Sequence, residues 1–371
     1  MLTYFSVKGF KNFKDEIVLD LGNTRDYQFN AQCIKNGAIR AAMMYGPNSS
    51  GKSNFGEALF DIVSSLTDKN KEPRLYANYL NLDVNASFAE FCYKFKFQND
   101  EVKYCCKKQN QDTFLEETVI INGSVAVKYD YIKNKGKTTL PDAEKLNLNL
   151  FNNNISFAKY IYKNTNLDKR KADSKAFCDL FNFVERMLFF RSLDTNAYIG
   201  FTNGSEQLAN GIIDAGKLND FEVFLRQNKI EYTFKEDPNT KNIMCVFDGG
   251  KAVNLFEIAS NGTKALSLFY YWYVRLNKAS FVFVDEFDAF YHSDISENIV
   301  KALIAAENIQ FMLTTHNTDI MTSELLRPDC YFLLNNGTLK SISDSTEKEL
   351  RIAHNLQKMY KGGAFERADE K

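Results

Sequence analysis

Residues 46 to 53 read Gly46-Pro47-Asn48-Ser49-Ser50-Gly51-Lys52-Ser53, a complete G-x-x-x-x-G-K-[ST] run. No other stretch constrains the fold as tightly, because such a loop works only between a strand end and a helix start. Its flanks meet that need. Ile39 to Tyr45 reads as a short apolar strand. Asn54 to Thr67 reads as a helix, with Phe55, Ala58, Leu59, Ile62, Val63 and Leu66 along one face. Glycines let the backbone wrap a polyphosphate and turn its N–H groups inward. Gly46 to Ser53, with Asn54 behind them, are therefore the candidate nucleotide-binding residues. Lys52 would reach the β- and γ-phosphates of ATP, and the Ser53 hydroxyl would ligate Mg2+.

A second site element follows more than 200 residues later. Phe281-Val282-Phe283-Val284-Asp285-Glu286 places two carboxylates after four apolar residues. That is the pattern of a buried central strand with acids at its C-terminal end, where α/β sheets bind ligands. Alone, the same pattern also describes an exposed acidic strand end. Beside a phosphate loop, Asp285 is the candidate Mg2+ ligand and Glu286 the group that polarises an attacking water. Thr314-Thr315-His316 ends the next predicted strand. His316 is placed to sense a γ-phosphate, although a histidine at a strand end also serves structure alone. Ser260-Asn261-Gly262-Thr263 precedes an apolar helix. Ser260 reads as a plain N-cap, or, with the Gly262 backbone and the helix dipole, as an anion site. In the second case one phosphate tail is gripped from two surfaces, which takes two protomers.

Composition sets the frame for these sites. The chain has 371 residues, 44% hydrophobic and 25% charged, in the range of soluble globular proteins. No run approaches the ~20 apolar residues of a membrane helix, and the N-terminus lacks the apolar core of a signal peptide, so a cytoplasmic location is expected. Seven cysteines without C-x-x-C spacing fit a reducing compartment, and the vicinal pair Cys105-Cys106 reads as packing. The net charge of −1 demands no polyanion partner. Residues 101 to 175 carry 14 Lys/Arg against 9 Asp/Glu, which reads as a solvated face or as a weak nucleic-acid patch.

Along the chain, residues 2–7 and 14–21 read as two strands about the turn Gly9-Phe10-Lys11-Asn12, and 22–37 as a loop. Residues 87–132 alternate with period two, from Phe91, Tyr93 and Phe95 to Val125, Val127 and Tyr129. This predicts an antiparallel meander. Residues 133–154 read as a loop and 155–190 as helical, with Phe177 to Leu188 as one apolar stripe. Residues 205–228 suggest a helical pair, and two β segments surround Asp237-Pro238-Asn239. Strand and helix then alternate over 280–335, predicting a parallel sheet with crossovers. Helices are expected near 318–325 and 346–360.

Taken together, these residues resemble the ABC-type ATPase heads of the RecF/SMC/OLD group. More narrowly they are similar to bacterial AAA-family ATPases of the RloA-like and abortive-infection type. Phe10-Lys11-Asn12-Phe13-Lys14 resembles the N-terminal "NFKSF" hairpin, which puts Lys11 near the nucleotide. Gly46 to Ser53 is the Walker A loop, Ser260 to Thr263 resembles the "SSGT" form of the ABC signature, and Asp285-Glu286 matches Walker B. Asp285 to His292 resembles "DEFDxxLH", His316 stands at the switch histidine, and Asn355 to Phe365 resembles "NLEKMYxxGxF". Asn261 and Tyr291 depart from the pattern, and no residue matches the glutamine loop. The stretch 70–245 matches only in general pattern.

The resemblance implies an α/β P-loop NTPase of ABC-head type with an antiparallel β subdomain and a helical insertion. It divides the chain into 1–70 with Walker A, 71–245 as the meander and helical insertion, and 246–371 with signature, Walker B and switch histidine. It implies ATP and Mg2+ as cofactors, Lys52, Glu286 and His316 as catalytic residues, and a homodimer or higher oligomer with ATP between the heads. The expected role is an ATP-hydrolysing switch acting with a separate effector, a nuclease or toxin, in antiphage defence. The short stretch after the last predicted strand and the lack of long coiled-coil runs lead to the expectation that this chain is neither its own Toprim nuclease nor an SMC-type tether. Two other readings stay open: an ATP-dependent assembly scaffold without turnover, and a RecF-like DNA-repair ATPase, in which nucleic acid is a partner. No membrane partner is expected.

Overall fold

The computed structural model describes residues 1–69, 76–143, 145–147, 154–191, 197–199 and 208–365. The expected boundary at 70/71, part of the loop at 133–154 and residues 205–207 lie outside them.

Two seven-stranded sheets enclose the helix Lys52–Leu66. One sheet is parallel at its centre. Its strands run in the order Ala197–Ile199, Met187–Arg191, Phe281–Asp285, Gln310–Thr315, Ala41–Tyr45, Tyr331–Asn335 and Thr338–Ser341. The five inner strands are parallel, and the two outermost pair antiparallel to their neighbours. Ala41–Tyr45, Phe281–Asp285 and Gln310–Thr315 are buried throughout, as expected of continuous apolar runs covered on both faces. These three strands end side by side, and their C-terminal ends carry the loop and the carboxylates.

The other sheet is antiparallel, in the order Lys135–Thr138, Ser124–Asp130, Phe114–Ile121, Asp100–Lys108, Ala89–Phe97, Leu2–Lys8 and Ile17–Asp20. The N-terminal hairpin and the meander thus form a single sheet. Its inner face packs on the Lys52–Leu66 helix. The Phe5 and Phe55 rings meet edge to face at 5.3 Å, and the Tyr93 hydroxyl donates to the Ala58 carbonyl at 3.0 Å. A buried ion pair also joins them, Lys108 Nζ to Asp61 Oδ2 at 2.7 Å, with the Tyr79 hydroxyl donating to the second Asp61 oxygen. On the parallel-sheet side, Phe60 meets Phe189 at 5.0 Å. A helix buried on nearly every side needs apolar residues beyond one stripe, which explains Phe60 lying outside the predicted face.

Several sequence expectations change. The helix expected to run through 190 ends at Glu185, and Met187–Arg191 is a strand of the parallel sheet. Its continuous apolar run fits either state, and pairing with Phe281–Asp285 decides for the strand. The 318–325 helix is one 3-10 turn, Thr318–Ile320. The 346–360 helix is confined to Leu356–Lys361, capped by Asn355. The 22–37 loop contains a 3-10 turn, Ala31–Cys33, and begins a short hairpin at Ile34. Cys105 is disulfide-bonded to Cys92, its direct cross-strand partner, with a Cα–Cα distance of 4.2 Å. Cys106, next in the strand, points the other way and is buried.

Candidate functional site

The loop leaves the strand Ala41–Tyr45 and turns into the Lys52–Leu66 helix through two left-handed residues, Ser49 at φ 64° and Gly51 at φ 103°. At Gly51 the φ of 103° strains any residue with a side chain, and a Cβ would also lie 2.4 Å from the Asn12 side-chain amide. At Gly46 a Cβ would lie 2.5 Å from the Leu334 carbonyl oxygen. Lys52 folds back over the loop and donates to the Gly46 and Pro47 carbonyls at 2.9 and 3.2 Å. The buried Ser50 hydroxyl has no hydrogen-bond partner among the described residues. The loop thus closes around its own lysine and leaves an unsatisfied donor, features a bound phosphate group would complete.

The carboxylates sit on the neighbouring strand end. Burial pushes the Asp285 carboxyl above its ordinary range, while hydrogen bonds from Ser53 and Thr314 pull it back. Ser53 and Asp285 therefore touch, and a hydroxyl beside a buried carboxylate is a hard oxygen donor set that fits Mg2+. Glu286 takes the left-handed conformation, φ 48°, and its N–H donates to the Thr314 hydroxyl at 2.8 Å. Its carboxylate lies 3.4 Å from Lys52 Nζ and 3.1 Å from His316 Nδ1. Lys52, Glu286 and His316 thus form a continuous polar chain beside the Ser53–Asp285 pair. The imidazole is the exposed end of it.

Lys11 stands on the N-terminal turn at φ 46°, with its ammonium ion-paired to Glu57 in the second turn of the helix. Its neighbour Asn12 reaches the loop: Asn54 Nδ2 donates to Asn12 Oδ1 at 2.7 Å, and Asn12 Nδ2 donates to the Ser50 carbonyl at 3.4 Å. Ser260 caps the helix Asn261–Tyr273, its hydroxyl accepting from Thr263 N–H at 3.1 Å. Gly262 lies against the Phe290 carbonyl, which a Cβ would approach at 3.0 Å. Among the described residues no hydrogen bond or ion pair joins Ser260 or Gly262 to residues 46–54.

Three further residues shape the site without having been singled out from the sequence. Thr314 is fully buried and bonds both Asp285 Oδ1, at 2.7 Å, and the Glu286 N–H. Asn12 braces Gly51. Asp288 is buried, accepts from Thr315 Oγ1 at 2.7 Å, and has its other oxygen unpartnered among the described residues; burial raises its carboxyl pKa. The signal for Asp288 was its position two residues after Glu286. Thr314 and Asn12 carry no such signal, because their roles depend on which strands become neighbours.

Compared with known proteins, the chain matches over residues 41–322 the family described as "AAA domain, putative AbiEii toxin, Type IV TA system". No curated protein matches it. Similar solved structures include the SMC head domain from Thermotoga maritima, at 18% identity over 91% of this chain and 97% of that one, with a TM-score of 0.44. Another is the Smc head domain from Pyrococcus furiosus bound to the C-terminal domain of ScpA, at 16% identity over 92% and 97%, TM-score 0.44. The Smc head domain with a coiled coil and joint from Pyrococcus yayanosii shares 12% identity over 97% and 99%, TM-score 0.45.

Proposed function

The chain belongs to the family of AAA domains described as putative AbiEii toxins of type IV TA systems, and from that premise we propose that it is an ATP-hydrolysing switch. The observation that carries this reading is the chain Lys52–Glu286–His316 beside the touching Ser53 and Asp285. The loop N–H groups of Gly46 and of Asn48 to Asn54 receive the phosphates. Lys52 exchanges its bonds to the loop carbonyls for phosphate oxygens. Ser53 and Asp285 would hold Mg2+, which would supply charge stabilisation to the phosphates. Glu286 orients the attacking water, and His316, held by Glu286, reports on the γ-phosphate. Lys11 stands behind the loop on its salt bridge with Glu57.

Ser260 and Gly262 act on the loop of a second copy, so the working unit is a homodimer or larger oligomer. The toxin–antitoxin setting in the family's description supports a partnered role, and the role proposed here is a cytoplasmic switch that controls a separate effector, a nuclease or toxin, in antiphage defence. Phosphate release by the wild type, with and without DNA, tests the core of the reading against Lys52→Ala and Glu286→Gln. Glu286→Gln should keep ATP binding and lose about 10²–10⁴-fold in rate. A Glu286→Gln protein with wild-type turnover would transfer the water-orienting role to another residue. Co-purification from native cells followed by mass spectrometry tests for the effector.

A further inference from the structure

The antiparallel sheet has an outer face opposite the one that packs on the Lys52–Leu66 helix. Alternation sorts its side chains. Tyr93, Phe95, Val102 and Tyr104 are buried, whereas Lys94, Lys103, Ile120, Val125 and Lys128 are half-buried or exposed. The strand register sets the outward side chains in rows. One row runs Lys8, Glu90, Lys107, Glu116, Asp130 and Lys135. There every lysine faces a carboxylate across the strands, and Lys107 lies 3.4 Å from Glu116.

The next two rows along the strands break that rule. Lys94 stands directly opposite Lys103, and Lys128 directly opposite Lys137. Like charges at such positions repel, and they destabilise the sheet. Among the described residues none of these four lysines is ion-paired with a carboxylate; Lys94 only lies over the Tyr4 ring, at 4.9 Å. Between the two lysine pairs, Ile120 faces Val125, and Val125 is 38% exposed. The face therefore carries an aliphatic centre flanked by two pairs of directly opposed lysines.

We propose that this face docks a protein partner that presents acidic side chains around an aliphatic centre. Carboxylates between the paired lysines would turn repulsion into attraction, and Ile120 and Val125 would lose their water. A phosphate backbone would use the lysines but gain nothing from covering two aliphatic side chains. The chain's net charge of −1 also gives no long-range attraction for a polyanion. The proposal rests on the reading that a separate effector exists, and it supplies the surface and chemistry that hold it.

The test uses two labelled probes, read by fluorescence anisotropy at low salt. One is a peptide helix of about 20 residues with leucines on one face flanked by glutamates. The other is a DNA duplex of about 20 base pairs. The wild type should bind the peptide, and Lys103→Glu or Lys128→Glu should weaken that binding by about tenfold or more. Lys107→Glu, in the balanced row, should leave it within about twofold. Lys103→Glu should also raise the thermal midpoint by about 1–3 °C, because it removes a repulsion. No peptide binding, an equal loss in Lys107→Glu, tighter binding of the duplex, or a lowered midpoint in Lys103→Glu each overturns the proposal. Phosphate release measured on the same proteins separates the two claims: failure of the wild type to turn over ATP sinks the switch and leaves the docking result standing.

Discussion

Thr314→Val should disable the site without touching a phosphate-binding residue. The substitution keeps the shape of a fully buried side chain and removes one hydroxyl. That hydroxyl donates to Asp285 Oδ1 at 2.7 Å and accepts from the Glu286 N–H at 2.8 Å. A hydrogen bond to a charged acceptor is worth about 1.5–3 kcal/mol and a neutral one about 0.5–1.5 kcal/mol, so the loss sums to roughly 2–4 kcal/mol. The thermal midpoint should fall by about 3–5 °C. The rate should fall further than stability suggests. The Glu286 backbone sits at φ 48°, a conformation that surrounding contacts must enforce. Without the Thr314 anchor the carboxylate drifts, and a displacement of ~1 Å costs about 10²-fold. The Asp285 carboxyl, already raised by burial, loses one of the two hydrogen bonds that lower it. Its pKa therefore rises further, more of it is protonated at a given acidic pH, and the deficit relative to wild type widens as pH falls. Phosphate release across pH and Mg2+ concentration, with ATP binding measured separately, reads all of this. Thr314→Ser restores the hydroxyl and should recover most of the rate. A Val variant with wild-type rate and Mg2+ requirement, or a Ser variant as poor as Val, refutes the argument.

Gly51→Ala should abolish nucleotide binding, since its Cβ would lie 2.4 Å from the Asn12 amide at a φ of 103°; equilibrium binding of a fluorescent ATP analogue checks this, and normal affinity would contradict it. Ser260→Arg and Lys52→Ala should each be inactive alone, yet mixed and allowed to exchange they should recover up to about a quarter of wild-type hydrolysis, because a hybrid dimer keeps one intact site. Exchange-competent mixtures that recover nothing would leave Ser260 as a helix cap only. Asp288→Asn should stabilise the fold at neutral pH. Burial raises this carboxyl above its ordinary value of 3.8, so its ionisation costs stability that mounts as pH climbs from about that value through the raised one. Melting curves should show the variant's advantage growing over that window and then levelling; an advantage independent of pH would point to a cause other than charge.

The candidate site was legible wherever its chemistry is local. Gly46 to Ser53 needs only one strand end and one helix start, and Asp285-Glu286 needs only the end of an apolar strand. The structure brings Lys52, Ser53, Asp285, Glu286 and His316 together. The parts of the site held by long-range contacts were not legible. Thr314 reads as one more residue of an apolar strand, and Asn12 as a turn residue 39 positions before Gly51.

Local composition also determined which segments alternate, which are continuously apolar and where the loop lies, since side-chain periodicity follows from backbone geometry alone. It could not choose between helix and strand for Met187–Arg191, because a short apolar run satisfies the buried positions of either. Pairing with Phe281–Asp285 made that choice. Register made the others. It set Cys92 opposite Cys105 and Lys94 opposite Lys103, and it joined the N-terminal hairpin to a meander that begins about 80 residues later. A one-residue slip would turn each of those side chains to the opposite face. The packing of both sheets on one buried helix helps hold that register, and that packing exists only in the folded chain.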